Sequence, residues 1–329
     1  ISPPSRRNEV ISFVKSGLKD LSVSRKSFSW GIPVPNNNNH VIYVWLDALT
    51  NYLSSLNYPN TNDDLFKKFW PASMHLIGKD ILRFHAVYWP AFLLAAKIDL
   101  PKKVYGHGWI LSGEEKMSKS RGNILDPLEI IKEYGLDPLR YYLIKEVSFG
   151  NDGNISQDRL EDCINSDLAN NYGNLCQRVT TFTIKNCDGK IPLEVKFNDE
   201  DLLILNKYKD NLDNIRSQID NQNINFYIDY IVNSLFEANK YFNDQEPWKK
   251  KDDMIRLNTI VYTTLEIVRK ISFLLYPIIP GSSLKALKIF NIEEKNIRLN
   301  TISNNEYLTK GKNINKIDIL FEKIEKNND

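Results

Sequence analysis

The sequence has 329 residues, 42% of them hydrophobic, and a formal net charge of +2 at pH 7. This length predicts about two domains, each able to bury a core. The near-neutral charge excludes a broadly basic nucleic-acid-binding surface, so any such contact depends on local patches. No apolar run approaches the roughly 20 residues that a membrane-spanning helix needs. We expect neither DNA nor a membrane as a partner.

The cysteines indicate a cellular compartment, and the first residue indicates that the chain belongs to a longer protein. Cys163, Cys176 and Cys187 lie too far apart for a Cys-x-x-Cys metal site, and their odd number favours a reducing compartment. No signal peptide is visible, so we expect a cytoplasmic protein, with a mitochondrial or plastid matrix as the alternative. The chain begins with Ile1 instead of methionine, and we expect it to belong to a longer protein.

The first part of the chain predicts one helix followed by an irregular connection. Pro3 is typical of the first turn of a helix, which we expect to continue to Ser16 and to stop at Gly17. Residues 21–35 are short and irregular, and the four asparagines at 36–39 predict a low-complexity loop.

Apolar runs of strand length then alternate with helical segments. Asp47 can cap the helix after the first run, and Pro90 should kink the helix after the second. Strands that alternate with helices indicate a parallel, doubly wound sheet, which binds ligands at the carboxyl ends of its strands. We predict strands at 41–45, 74–77 and 103–111.

Strand signals vanish after Asp126, and helical patterns dominate the remainder. Helices start near Pro127 and Pro138 and lead to the glycines at 150–153, which predict a boundary. Apolar residues at spacings of three and four over 168–182 indicate helices that pack as a bundle. We predict these helices at 156–185, 199–219, 224–243, 253–276 and 282–290.

A basic loop lies between two glycines directly after the third predicted strand. Glycine at both ends allows the loop to hinge. Lys116 and Lys119 offer mobile charges suited to phosphate, and Ser118 adds a hydroxyl donor. Such a loop beside a strand end can stabilise a polyphosphate leaving group. A solvated charged turn is the ordinary alternative for so short a string.

Aromatic residues cluster on the helices that follow the first two strands. Ala48 and Tyr52 share a face of the first helix, and Ile81 and His85 share a face of the second. Together these side chains would wall a pocket that is largely apolar and aromatic. Ordinary core is the alternative for each aromatic residue. The other members of the set are Trp45, Phe84 and Trp89.

Residues 116–120 read Lys-Met-Ser-Lys-Ser, the signature loop of class I aminoacyl-tRNA synthetases. That loop alone leaves the leucyl, isoleucyl, valyl and cysteinyl families open. Blocks at 44–52, 75–85 and 106–109 are collinear with it. With these blocks, the sequence from about residue 5 to residue 248 resembles the methionyl-tRNA synthetases.

The resemblance implies an α/β plus all-α fold, in which part of a doubly wound, Rossmann-type catalytic domain precedes a helical anticodon-binding bundle. It implies ATP-dependent activation of methionine and its transfer to tRNA(Met) with a CAU anticodon, with Mg²⁺ accompanying ATP. The implied site residues are Lys116 and Lys119 for catalysis; Gly78, Asp80, Ile110, Lys116, Ser118 and Lys119 for ATP; Trp45, Ala48, Tyr52, Ile81, Phe84 and His85 for methionine; and Asn174, Arg178 and Trp248 for the anticodon.

Several of these residues also have a plainer interpretation. Asp80 could cap the helix that it begins, which is compatible with binding ribose hydroxyls. Asn174 and Arg178 stand at a spacing that is common by chance and could form a surface pair, with Trp248 as half-buried core. Splayed RNA bases are read by stacking and by hydrogen bonds to their edges, which these residue types can supply.

The sequence departs from the family in one respect. It contains no His-x-Gly-His element, which binds the triphosphate of ATP in the family, and no zinc site. We therefore expect this chain alone to be inactive, and a tRNA-binding fragment without catalysis is the main rival function. A monomer is favoured because the tail does not resemble a dimerisation domain. The predicted domains are the end of a connective insertion and re-entry segment (1–40), the second half of the catalytic domain (41–125), linker helices that contact the tRNA stem (126–153), the anticodon-binding bundle (154–290) and a carboxyl-terminal tail (291–329).

Overall fold

The computed structural model describes residues 1–112, 115–116 and 125–325, with 115–116 described by their backbone alone. The chain divides into two compact units. The first unit comprises Ile1–Trp109 and Gly150–Asp152, and the second comprises Ile110–Phe149 and Gly153–Asp329. None of the described helices is long and apolar enough to cross a lipid bilayer.

The first unit combines short strands with helices, and its opening helix agrees with the prediction. Its helices are α1 (Pro4–Lys15), α2 (Val44–Ser54), α3 (Asp64–Phe69) and α4 (Trp89–Ala95), with a 3-10 turn at Lys79–Ile81 and a π-helix at Phe84–Tyr88. Its strands are β1 (Ser24–Arg25), β2 (Pro33–Val34), β3 (Asn37–Ile42), β4 (His75–Gly78) and β5 (Val104–His107).

One strand of the predicted parallel sheet lies elsewhere. β3 pairs antiparallel with β1 and β2 in a sheet of its own. The chain reverses between β2 and β3 at Asn36, whose φ is 63°, so these two strands run antiparallel. β4 and β5 form the parallel pair, with Gly78 opposite His107 at its end. The carboxyl ends of these two strands therefore lie side by side, where ligands of such sheets bind.

Two details of the helices in the first unit also differ from the predictions. α2 begins at Val44, so Asp47 lies in its first turn instead of at the cap, where it still faces the positive end of the helix dipole. Pro90 is the second residue of α4 and comes directly after the π-helix. Because proline has no N–H to donate, the hydrogen-bond pattern changes there.

The strand predicted at 103–111 is two strands in different sheets. β5 ends at His107, and a Cβ on the next residue, Gly108, would come within 2.1 Å of the main chain of Asn151. Only glycine fits this close approach. The second strand is β6 (Ile110–Ser112), which pairs with β7 (Glu115–Lys116) and β8 (Gly153–Ile155).

The second unit is a helical bundle with this small sheet. A π-helix at Ile164–Gly173 joins two of its helices, so the helix predicted at 156–185 is continuous but changes its hydrogen-bond pattern. The α-helices are α5 (Pro127–Tyr134), α6 (Leu136–Glu146), α7 (Gln157–Cys163), α8 (Asn174–Asn186), α9 (Asp199–Asp210), α10 (Leu212–Asp220), α11 (Ile224–Asp244), α12 (Met254–Leu275) and α13 (Pro280–Leu287). Short 3-10 helices cover Pro247–Lys249, Lys288–Phe290, Glu294–Asn296 and Leu299–Ser303.

Polar caps and one central helix explain why the bundle forms. Side chains at several helix starts accept hydrogen bonds from free main-chain amides, which stabilises those ends. α12 is buried along nearly its whole length, and the apolar stripe of 168–182 packs into the same core. The parallel pair of the first unit and this bundle confirm the α/β plus all-α fold class. The capping residues are Asp126, Ser156, Asn198, Asn223 and Asp253.

Candidate functional site

Aromatic side chains from α2 and the π-helix meet in the first unit and are called the aromatic cluster below. Trp45 stacks on Phe84, with ring centroids 3.9 Å apart and planes 10° from parallel. His85 meets Trp45 edge-to-face at 6.2 Å and Tyr52 at 5.7 Å between centroids. The structure thus brings together four residues that the sequence predicts to bind methionine.

Two hydrogen bonds fix the polar atoms of the aromatic cluster. The Tyr52 hydroxyl lies 3.0 Å from Nε2 of His85, and Nδ1 of His85 lies 3.1 Å from the main-chain oxygen of Ile81. A carbonyl oxygen can only accept, so Nδ1 carries the proton and Nε2 accepts from Tyr52. Both imidazole nitrogens are therefore engaged within the protein, and the cluster presents mainly ring surface.

Two further residues, Ile81 and Ala48, are predicted to bind methionine, and neither takes part in the ring contacts. Ile81 supplies the oxygen that orients His85, and its side chain packs against a separate small core beneath β4. Ala48 lies one helical turn before Tyr52 on α2 and is exposed. Neither side chain brings a polar atom to the aromatic cluster, so its apolar character is kept.

A second histidine, to which the sequence assigns no role, lies behind the aromatic cluster. Trp89 donates from Nε1 to Nε2 of His75 at 3.2 Å, and the ring of Tyr52 packs 4.2 Å from that of His75. Trp89 is 2% exposed, which makes it part of the core beneath the cluster. Trp89 belongs to the aromatic set predicted from the sequence, and a histidine within an apolar strand is the signal that could have added His75.

Burial keeps the histidines neutral. Burial, with a smaller contribution from the neighbouring His85, lowers the pKa of His75 to about 4. Burial also lowers the pKa of His85, although the hydrogen bond to Ile81 opposes this, and burial raises the pKa of Tyr52. At neutral pH these three side chains carry no charge, which suits an uncharged ligand group.

Two residues that are predicted to bind ATP, Gly78 and Asp80, lie at the carboxyl end of β4. A Cβ at Gly78 would stand 2.6 Å from Oδ1 of Asp80, so glycine leaves room for this carboxylate to fold back over the strand end. Asp80 is exposed and does not cap the turn that follows, since Gly78 holds the cap position. An exposed carboxylate at a strand end can accept hydrogen bonds from ribose hydroxyls.

Most of the signature loop lies outside the described residues. Lys116 is described by its main chain alone, at the end of β7, while Ser118 and Lys119 fall in the range that the structure leaves undescribed. Ile110 is the first residue of β6 and is 38% exposed. The roles of Lys116, Ser118 and Lys119 therefore stay predictions.

The three residues predicted to bind an anticodon line one cavity of about 400 Å³ in the second unit. Asn174 and Arg178 belong to α8, and Trp248 belongs to the 3-10 turn after α11. Trp248 is 40% exposed and meets Phe242 edge-to-face at 6.1 Å. The other lining residues are Gln177, Thr181, Phe182, Lys185, Asn186 and Phe242.

The Arg178 side chain is held at this cavity by two contacts. One guanidinium nitrogen donates to Oδ1 of Asn243 at 2.6 Å, and the guanidinium lies 5.4 Å from the centroid of Phe242. All lining residues of the cavity are described, and none of them is acidic. Aromatic surface, amide groups and cations together offer stacking and edge hydrogen bonds to an unpaired base.

Comparison with known proteins gives two family matches. Residues 2–180 match the family described as class I tRNA synthetases (M), and residues 191–329 match the anticodon binding domain of methionyl tRNA ligase. The two matches follow one another along the chain and leave a gap of few residues between them.

Two curated relatives show how much of such a protein is present. The methionine–tRNA ligase of Brucella suis biovar 1 is 49% identical over 293 residues, which cover 89% of this chain and 57% of the relative. That of Rickettsia felis is 47% identical over 343 residues, which cover 99% of this chain and 64% of the relative. The chain thus spans less than two thirds of the length of these relatives.

The chain also covers only part of the solved structures that it matches. The Mycobacterium tuberculosis methionyl-tRNA synthetase in complex with methionyl-adenylate matches with a TM-score of 0.92 and 43% identity, over 97% of this chain and 64% of that one. The free form from the same organism matches with a TM-score of 0.90 and 40% identity. The fold of this chain is similar in both comparisons.

Proposed function

The chain belongs to the class I tRNA synthetases of the methionyl type, and from this membership we propose that the protein containing it is a methionine–tRNA ligase. The methionine carboxylate attacks the α-phosphate of ATP, which forms methionyl-adenylate and releases pyrophosphate. A ribose hydroxyl of the terminal adenosine of tRNA(Met) then takes the aminoacyl group, and AMP leaves.

In the structure, the aromatic cluster is the observation that supports the assignment to methionine. Its rings are stacked or edge-on, and the Tyr52–His85 hydrogen bond uses the imidazole nitrogen that would otherwise attract a polar ligand. A thioether gains from polarizable contact with ring edges and faces and needs no hydrogen-bond partner. Such a surface favours methionine over amino acids with charged or strongly polar side chains.

The nucleotide is proposed to lie at the carboxyl ends of β4 and β5. Asp80 accepts from the ribose hydroxyls, and Gly78 lets the nucleotide approach the main chain. Lys116 and Lys119 stabilise the charge that develops on pyrophosphate as it leaves, with Lys119 the more important of the two. Mg²⁺ enters with ATP and neutralises part of the phosphate charge.

The cavity of the second unit supports a role in reading tRNA. We assign Trp248 to stacking on an anticodon base, and Asn174 and Arg178 to hydrogen bonds with base edges. The CAU anticodon is the triplet that we propose this cavity to select. Cations at the cavity make binding depend on salt, because each phosphate contact releases counterions.

Amino-acid-dependent exchange between pyrophosphate and ATP tests the catalytic proposal. The complete protein that contains this chain is assayed with each amino acid in turn, and methionine should give the highest kcat/KM. Trp45→Ala should lower methionine-dependent exchange, while Trp30→Ala, at a tryptophan that is 88% exposed, should not. If leucine or isoleucine supported exchange better than methionine, the assignment to methionine would be wrong.

A second candidate function is tRNA binding without catalysis. It is favoured by the second unit, whose cavity and core are both built from its own residues. The same exchange assay separates the two candidates. A complete protein that binds tRNA(Met) but gives no exchange above background with any amino acid would establish the second.

A further inference from the structure

Asp152 lies in the short return segment Gly150–Asp152, which rejoins the first unit far along the sequence from β4 and β5. Its Oδ2 accepts from Nζ of Lys79 at 2.6 Å, and its Oδ1 accepts from the main-chain amide of Trp109 at 2.9 Å. One carboxylate thus joins the residue after the end of β4 to a residue just beyond the end of β5.

The two partners of Asp152 also contact each other. Nζ of Lys79 lies 4.1 Å from the centroid of the Trp109 ring, which is the geometry of a cation–π contact. The indole nitrogen of Trp109 lies 3.5 Å from Oδ1 of Asp80, the residue proposed to bind the ribose. Asp152, Lys79 and Trp109 therefore form a connected set around Asp80.

We propose that Asp152 is a positioning residue for the nucleotide, which it serves by holding Lys79 against Trp109 beside Asp80. This inference rests on the proposed function, because it assigns the site at the strand ends to ATP. Lys79 is only 18% exposed in its side chain, so Asp152 restrains a cation that has little other freedom. A restrained cation and ring next to Asp80 fix where a ribose and its phosphates can lie.

The main chain of the segment Gly150–Asp152 packs closely on its neighbours. The main chain of Asn151 lies within 2.1 Å of where a Cβ of Gly108 would be, so the segment packs directly on the chain that leads to Trp109. Gly150 has a φ of 98°, which glycine adopts without strain. The hydrogen bond from Lys79, with that from the Trp109 amide, holds the pKa of Asp152 below its usual range. The carboxylate is therefore ionised at neutral pH.

Steady-state kinetics of exchange in the complete protein test this inference. Asp152→Asn keeps an acceptor for the Trp109 amide and removes the charge that holds Lys79. We expect it to raise the KM for ATP by about 5- to 10-fold, on the scale of a partly exposed charge-assisted contact, with the KM for methionine unchanged. Calorimetric binding of adenosine, without methionine, should weaken by a similar factor.

A double variant shows whether Asp152 acts through Lys79. Lys79→Met should raise the KM for ATP, and Asp152→Asn combined with Lys79→Met should raise it no further. Asp63→Asn is the matched control, since Asp63 accepts from the amide of Leu65 at 2.9 Å at the start of α3 and lies outside the set. It should leave both KM values unchanged.

The outcomes are distinct. If the complete protein without any substitution shows no methionine-dependent exchange, the proposed function is wrong, regardless of the results for the Asp152 variants. An active protein in which Asp152→Asn leaves the KM for ATP and adenosine binding unchanged overturns the positioning role. A double variant whose effect is the product of the single effects also overturns it, since Asp152 would then act independently of Lys79. A KM for methionine that rises together with that for ATP overturns it as well, since this indicates a general structural role.

Discussion

The Tyr52 hydroxyl donates to Nε2 of His85 across 3.0 Å and thereby joins α2 to the π-helix of the first unit. Because Nδ1 of His85 is tied to Ile81, the imidazole cannot turn to offer a free nitrogen. Tyr52 also packs on His75, which in turn accepts from Trp89. This one phenol therefore connects the surface of the aromatic cluster to the core behind it.

Removal of the Tyr52 hydroxyl should weaken methionine use while the ring stays in place. Tyr52→Phe leaves Nε2 of His85 without its donor, so the imidazole gains freedom and an unpaired acceptor. We expect the KM for methionine in exchange to rise about 10-fold, with the KM for ATP unchanged. Tyr58→Phe makes the same change outside the cluster, at a ring that packs on Phe66, and should leave both values alone. Equal effects of the two variants would contradict the role of the bond.

Sequence patterns predict the helices well because local spacing and capping determine them. The helix predicted at 224–243 is α11, which ends one residue later and is capped by Asn223. The same patterns miss the pairing of β3 with β1 and β2, since two-residue strands carry no period of their own. They also miss the break after His107, which depends on Asn151, a residue distant in the sequence.

The candidate site was predictable where motif residues are close in sequence and not where contacts cross the fold. Spacing placed Asn174 and Arg178 on one helix, and both line the same cavity. Nothing near Arg178 in the sequence indicates its hydrogen bond to Asn243. The contact of Trp89 with His75 and that of Lys79 with Asp152 are likewise formed only by the folded chain.

The signature loop gives a prediction about charge. Lys119→Ala in the complete protein should lower the rate of adenylate formation by roughly 10²- to 10³-fold, the scale for loss of one preorganised stabiliser. Methionine affinity should change little, because the lysine acts as charge develops on pyrophosphate. Single-turnover adenylate formation measures this, with Lys132→Ala on α5 as an exposed control. A raised methionine KM with an unchanged kcat would show that Lys119 does not act on pyrophosphate.

Stacking in the second unit can be tested apart from catalysis. Trp248→Ala should weaken binding of tRNA(Met) by about 1–3 kcal/mol, the contribution of one stacked base. Methionine activation without tRNA should be unaffected. Phe236→Ala is the matched control, because Phe236 is an aromatic residue on α11 that is 64% exposed and does not line the cavity. Normal charging of tRNA by Trp248→Ala would return this tryptophan to a structural role.

The buried His75 should make stability depend on pH. Its pKa is about 4 in the folded protein against 6.5 for a free histidine. Above pH 6.5 it is neutral in both states. Between pH 6.5 and 4 the unfolded chain takes up a proton that the folded chain does not, so the free energy of unfolding falls. The lowered pKa of His85 acts in the same direction.

Urea unfolding at several values between pH 7 and 4.5 measures this dependence. His75→Gln keeps an acceptor for Trp89 and removes the titrating group, so its unfolding free energy should fall less steeply with acid. His40→Gln, at a histidine on β3 outside the aromatic cluster, is the control and should keep the steeper fall. Identical curves for His75→Gln and the unchanged protein would show that His75 does not contribute.

A buried ion pair in α12 gives a prediction about stability in the second unit. Oε2 of Glu266 accepts from Nε of Arg269 at 2.7 Å, and Oε1 accepts from the main-chain amide of Leu308 at 2.6 Å. Glu266 and Arg269 are both fully buried, so Glu266→Gln leaves a guanidinium without its anion inside the core. We expect a loss of about 3–5 kcal/mol in the free energy of unfolding. Glu237→Gln breaks a surface pair with Lys207 and should cost less than about 1 kcal/mol. Urea unfolding measures the free energy of unfolding of the two variants. Equal losses would contradict the prediction, because they would mean that the buried pair contributes no more to stability than the surface pair.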